Sequence, residues 1–186
     1  MRYFTSDTHF HDERLNLFGR DFLFSNSKEV DEYIIKRWNE KVKPEDLVYH
    51  LGDVSVTKEG YKILNQLNGI KILISGNYDL KYDRNFLEQY FVEVLNYNII
   101  EIKGNPYYLN HYPEKCQCNE MFNIVGHVHA LWQVQRKMIN VSSDAWHFSL
   151  LSENDIIVYR NKIELLDINV FAGELTVNSN FKNTKL

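Results

Sequence analysis

Two periods alternate along this chain. Short apolar runs read as strands, and segments with an apolar residue every third or fourth position read as helices. Residues 2–6 are aromatic and β-branched and predict a strand. Residues 27–42 form the clearest helix, because Val30, Ile34, Trp38 and Val42 recur every fourth position and build one apolar stripe. Pro44 stops it. Residues 47–51 and 70–74 predict buried strands. Between them, residues 57–68 carry Tyr61, Leu64 and Leu67 at helical spacing, with Gly69 just past the end. A helix is predicted over 83–91, then short strands at 92–95, 99–102, 107–109, 124–125, 131–134 and 139–141. Ser152 and Asp155 form a capping pair ahead of Ile156, Ile157 and Tyr159. No internal repeat, low-complexity tract or linker breaks this alternation, which predicts an α/β (α+β layered) fold.

Composition adds bounds. A chain of 186 residues with 44% hydrophobic and 25% charged positions is expected to form one globular domain over 1–186, large enough to need no disulfide. Residues 166–186 are polar and weakly patterned, and are expected to form an edge strand and a loose tail. The formal charge of −4 supplies no bulk cationic field for duplex nucleic acid. A nucleotide substrate stays open, since bound cations would reverse the local sign. Cys116 and Cys118 are one residue apart, too close for a long-loop disulfide and too few for a four-ligand zinc site, so they read as reduced thiols in a surface loop. The first residues lack a signal-like apolar stretch and no run of 18 apolar residues occurs, so a cytoplasmic chain without membrane association is expected. No obligate protein partner is evident.

The candidate chemistry sits where strands end. Asp7 and His9 follow the first strand, Asp53 the second, Asn77 and Asp79 the third, and His111, His127 and His129 lie at later strand-to-loop junctions. Polar groups at the carboxyl ends of neighbouring strands gather at one sheet edge. Asp7 and His9, alternate residues of an extended segment, would share one ion, while a turn at 126–129 would aim two imidazoles at separate ions. Glycines 52, 76 and 126 would let the chain bend before the ligands. A donor set of carboxylate, imidazole and amide suits Mn²⁺ first, with Fe, Zn²⁺ or Ni²⁺ as alternatives. His11 and Arg20 are candidate phosphate contacts, and each also reads as an ordinary structural residue. His50 and His147 read as structural. Phe10, Tyr112 and Trp132 either stack on a nucleobase or pack in the core.

These motifs can be placed in a family. Asp7-x-His9, Gly52-Asp53, Gly76-Asn77-x-Asp79, His111 and Gly126-His127-x-His129 resemble the five ordered motifs of the calcineurin-like metallophosphoesterase superfamily. The surrounding residues 4–10, 49–53 and 140–146 resemble its small bacterial and phage branch. The resemblance implies a four-layer sandwich of two mixed β-sheets flanked by helices. It implies two divalent ions, one on Asp7, His9, Asp53 and His129 and the other on Asp53, Asn77, His111 and His127, with Asp53 bridging. A hydroxide between them would attack phosphorus in line. The catalytic residues so implied are Asp53, Asn77, Tyr78 and Asp79. Tyr78 stands where relatives carry a histidine credited with assisting the leaving group, and Asp79 would orient it. With an ordinary pKa near 10, a tyrosine is the poorer acid at neutral pH but still donates a hydrogen bond. The substrate would be a phosphate mono- or diester, including a nucleotide or nucleic-acid end. The alternative is a catalytically weakened module that keeps metal and phosphate or nucleotide affinity.

Overall fold

The computed structural model describes residues 1–117, 120–166, 168–169 and 174–175. Two mixed five-stranded sheets with helices form an α/β layered fold, as the patterning predicts. The first sheet holds β1 (Arg2–Thr5), β2 (Leu47–His50), β3 (Ile70–Ile74) and β4 (Glu93–Leu95), all parallel, with β10 (Leu151–Ser152) antiparallel beside β1. The second runs β5 (Tyr97–Ile102), β6 (Asn105–Asn110), β7 (Phe122–Val125), β9 (Met138–Asn140) and β8 (Val134–Gln135), with the β6–β7 and β7–β9 pairs parallel. The helices are α1 (Ser27–Lys41), α2 (Lys58–Tyr61), α3 (Arg84–Leu87) and α4 (Glu153–Leu166). A small pair, β11 (Ile168–Asn169) and β12 (Glu174–Leu175), is antiparallel. Most of the expected tail lies outside the described residues.

Alternation along the first sheet supplies two cores. Tyr3, Val48, Leu73 and Val94 face the α1 stripe of Val30, Ile34 and Trp38, all buried. Phe4, Tyr49, Leu51, Ile72 and Ile74 face the other way, against Ile100, Ile102, Tyr107, Leu109, Ile124 and Ile139 of the second sheet. Trp38 is fully buried and its Nε1 donates to the Asn68 carbonyl at 2.9 Å. At α1 the Asn26 side chain accepts from the Glu29 amide, and Val42 is already extended. The expected pair at α4 forms: the Ser152 hydroxyl accepts from the Asp155 amide at 3.2 Å and donates to its carboxylate at 2.7 Å.

Three elements differ from the patterning. Residues 57–68 make α2 and then a 3₁₀ helix, Lys62–Gln66. Tyr61, Leu64 and Leu67 are spaced by three, a period that a three-residue turn satisfies as well as an α-helix does. The helix expected over 83–91 is confined to Arg84–Leu87, followed by turns that carry Tyr90 and Phe91 against the Tyr61 cluster. A 3₁₀ turn at His129–Leu131 replaces the start of the strand expected over 131–134.

Candidate metal centre

The parallel strands β1, β2 and β3 deliver their carboxyl ends to one edge of the first sheet, and β6 and β7 deliver theirs to one edge of the second. Backbone pairing continues past the strands. The Asp7, His9 and Phe10 amides donate to the carbonyls of Gly52, Asp53 and Val54 at 2.9, 3.2 and 2.9 Å, and the Gly126 amide donates to the His111 carbonyl at 3.0 Å. Two groups result: Asp7, His9 and His129, and Asp53, His111 and His127, each with donor atoms within 4.8 Å of one another.

Asp53 faces both. One of its oxygens, Oδ1, accepts from the Tyr78 amide at 2.9 Å. The other, Oδ2, lies 3.8 Å from His9 Nε2 and 3.5 Å from His111 Nε2. His129 Nε2 is 3.9 Å from Asp7 Oδ1, and His111 Nε2 is 3.1 Å from His127 Nδ1. Asp7 Oδ1, His9 Nε2 and Asn77 Oδ1 are buried without a hydrogen-bond partner. Buried polar atoms are normally satisfied, and a cation bound among these lone pairs would satisfy them. The residues present therefore fit a divalent cation in each group.

The backbone is unusual here. Asp7, His9, Asp53, His127 and His129 all have positive φ, between 47° and 73°. Each such residue costs on the order of 1 kcal/mol and persists only where surrounding contacts impose it. This corrects the expectation that Asp7 and His9 share an ion by lying on an extended segment; the left-handed turns bring them together instead. It also revises the glycines. Gly52 has φ +90°, but Gly76 and Gly126 serve close approach: a Cβ on Gly76 would collide with Asp53 Oδ1, and one on Gly126 with Ser6 Oγ.

Behind the imidazoles stand residues that the motifs did not single out. His9 Nδ1 is 3.2 Å from Asp12 Oδ2, His129 Nδ1 is 2.6 Å from Asp144 Oδ2, and His111 Nδ1 is 2.6 Å from the Leu51 carbonyl. A partner at Nδ1 leaves Nε2 turned inward. Phe18 stacks on His129 with ring centroids 4.4 Å apart and packs on His9 at 4.5 Å. Asp12 carries a legible signal, three residues after His9; Asp144 lies in the 140–146 segment that resembles the family branch, but nothing in that segment ties it to His129.

Charge follows these contacts. Asp53 is held below its usual range: burial pushes it up, and the hydrogen bond and charge of His111 outweigh that. His111 is raised to about 9; burial lowers it, and Asp53 together with the Asp7 charge more than offsets the loss. Asp144 is lowered against burial by His129 and Arg20.

Two expectations change, those for Arg20 and Asp79. Arg20 is no phosphate contact: it is buried, with Nε and Nη2 on Asp144 at 2.7 and 3.1 Å, Nη1 on the Thr8 carbonyl at 2.8 Å and Nη2 on the Asp7 carbonyl at 2.8 Å. Asp79 does not orient Tyr78. It is fully buried and accepts from the amides of Asp53, Val54 and Gly76 at 2.7, 3.1 and 2.8 Å and from the Tyr61 hydroxyl at 2.5 Å, so it anchors the loops. His11 is exposed and its backbone amide donates to Asp31, a placement that leaves its side chain accessible to a phosphate. Phe10 and Trp132 are buried, whereas Tyr112 packs on His111 and His127 at 4.8 and 5.2 Å. His50 is buried and its Nε2 lies 3.0 Å from the Thr8 hydroxyl. Cys116 is half-buried, and Cys118 lies outside the described residues.

With this geometry in hand, the chain can be set beside known proteins. It is 33% identical over 170 residues to the uncharacterized protein MJ1445 of Methanocaldococcus jannaschii, covering 84% of this chain and 88% of that one. The chain belongs to the family of that archaeal protein. The crystal structure of AQ665 from Aquifex aeolicus, a protein of unknown function, matches with a TM-score of 0.70 and 32% identity over 86% of this chain and 98% of its own. A novel archaeal phosphodiesterase matches at a TM-score of 0.49 and 19% identity, over 76% of this chain and 81% of its own, too remote to argue from. No family model matches the chain. No helix among the described residues is long and apolar enough to cross a membrane.

Proposed function

We propose that this chain is a metal-dependent phosphoesterase with a two-cation centre. Asp7, His9, Asp53 and His129 would hold one divalent ion, and Asp53, Asn77, His111 and His127 the other. The observation that carries this reading is Asp53 Oδ2, which faces an inward-turned imidazole nitrogen of each group at 3.8 and 3.5 Å. The unpartnered atoms of Asp7, His9 and Asn77 support it. Mn²⁺ is the first ion to test, with Fe, Zn²⁺ and Ni²⁺ behind it, because the donor set has no thiolate. Bound cations would supply Lewis acidity at the phosphoryl group and lower the pKa of nearby water. The chain's own part is to hold that centre rigid through Asp12, Asp144 and Leu51, and to offer the Tyr78 hydroxyl as a hydrogen-bond donor to a phosphate oxygen. The substrate is a phosphate ester, with nucleotides and nucleic-acid ends within the class.

Hydrolysis of p-nitrophenyl phosphate and bis-p-nitrophenyl phosphate is expected with Mn²⁺ and not with EDTA. Asp53→Asn should abolish it together with cation binding, since both groups lose their shared carboxylate. Full activity in that variant would reject the bridging role.

A further inference from the structure

Beside the two groups, Arg14 adds to the part that this reading gives Tyr78. The side chain of Arg14 is 42% exposed, yet it is not a free-swinging surface group. Its Nε and Nη2 donate to Oδ1 and Oδ2 of Asp12 at 2.9 and 2.6 Å, and its own backbone amide donates to Asp12 Oδ1 at 3.0 Å. A two-point fork of this kind fixes the plane of the guanidinium. The remaining nitrogen, Nη1, donates to the Tyr78 hydroxyl at 3.1 Å. Tyr78 stands edge-on to His9 with ring centroids 5.1 Å apart, and Lys81 Nζ lies 4.2 Å from the centre of its ring. Because the hydroxyl accepts from Arg14, its own hydrogen is available in another direction. The rim next to His9 and Asp53 thus carries two cationic side chains and a hydroxyl already held in place.

The geometry points to Arg14 and Tyr78 as a preorganised donor pair for an unesterified phosphate oxygen, and so to phosphate monoesters as the substrate class this site favours over diesters. The inference rests on the phosphoesterase reading. A diester presents two unesterified oxygens, the number that two cations can take. A monoester presents a third, and donors standing beside the cation centre have that oxygen to bind. A monoester also carries about −1.5 to −2 charge near neutral pH, which a rim holding Arg14 and Lys81 attracts more than the single charge of a diester. Asp12 lowers the ordering cost, since the arginine is already in place before substrate arrives.

The test is steady-state kinetics on p-nitrophenyl phosphate and bis-p-nitrophenyl phosphate with Mn²⁺-loaded wild type, Arg14→Gln and Tyr78→Phe. Inhibition by inorganic phosphate and Mn²⁺ affinity by calorimetry are measured alongside. Each variant should lose about 10–100-fold in kcat/KM on the monoester, the range for hydrogen bonds to a charged group. Each variant should lose at least about tenfold less on the diester than on the monoester, and phosphate should inhibit correspondingly less. Tyr78→Phe removes one hydroxyl and leaves Asp12 untouched, so its Mn²⁺ affinity should match wild type and it keeps the test decisive even if Arg14→Gln loosens Asp12. Equal losses on both esters, or undiminished phosphate inhibition, overturn the donor pair while the phosphoesterase reading stands. Wild type without metal-dependent hydrolysis of either ester removes that reading and the donor pair with it.

Discussion

The two ligand groups are built alike at the front and differently at the back. In the Asp7 group, both imidazoles lean on a carboxylate and each carboxylate leans on an arginine: His9 on Asp12 and Arg14, His129 on Asp144 and Arg20. In the Asp53 group, His111 leans on the neutral Leu51 carbonyl, and His127 faces His111. His127 is also exposed, whereas Asp7 and His9 are buried. A carboxylate behind an imidazole makes it a more basic ligand and locks its tautomer. On the proposed two-cation reading, the Asp7 group would take a cation more tightly and the Asp53 group would exchange one more readily. The two arginines differ in turn. Arg20 is sealed inside and ties Asp144 to the backbone of Asp7 and Thr8, while Arg14 stands at the rim.

The largest expected effect is on stability. Arg20→Met would leave Asp144 charged and buried, with the Thr8 and Asp7 carbonyls short of donors, at a cost of about 3–5 kcal/mol. Chemical denaturation measures it, and a loss below about 1 kcal/mol would mean that the buried triad is not what holds His129 in place. Next comes a buried imidazole that belongs to neither group. His50 is lowered to about 3, chiefly by burial. Between about 3 and its unfolded value of 6.5 the unfolded chain binds a proton that the native chain does not. Stability therefore rises with pH across that window and is lost on acidification through it, by a few kcal/mol at most. His50→Gln should flatten the slope there relative to wild type; an unchanged slope would assign the acid sensitivity to the ligand groups instead. The smallest effect separates the groups directly. Asp12→Asn and Asp144→Asn should each weaken the tighter of two calorimetric Mn²⁺ binding steps by about 10–100-fold and leave the weaker step alone. If the weaker step moves instead, the assignment of tight and loose sites is reversed.

Much of the centre was legible because its residues are short motifs set at strand ends. Asp7, His9, Asp53, His111, His127 and His129 all converge as expected, and Asn77 lies beside them on the Gly76 loop that packs on Asp53 and His111. Which imidazole each support holds was less legible. Asp144 reaches His129 from a turn 15 residues away, and Arg20 reaches Asp144 across 124. A charged residue reads the same in a sequence whether it faces solvent or another buried charge. Arg20 and Asp79 differ from expectation for that reason: Arg20 reads as a phosphate contact and Asp79 as the acid that orients Tyr78, but Arg20 is taken up by Asp144 and two backbone carbonyls, and Asp79 by three backbone amides and the Tyr61 hydroxyl.

The order of elements, the α1 stripe, the strand-end position of the ligands and the residue types available for a cation follow from local patterns, which repeat at the period of a helix or a strand wherever the chain folds. How those residues meet does not. The left-handed turns at Asp7, His9, Asp53, His127 and His129, the Oδ2 of Asp53 set between two imidazoles, and the locking of Arg14 onto Tyr78 arise when loops from both sheets press together at one edge. Such conformations cost energy locally and survive only because contacts between distant segments outweigh that cost.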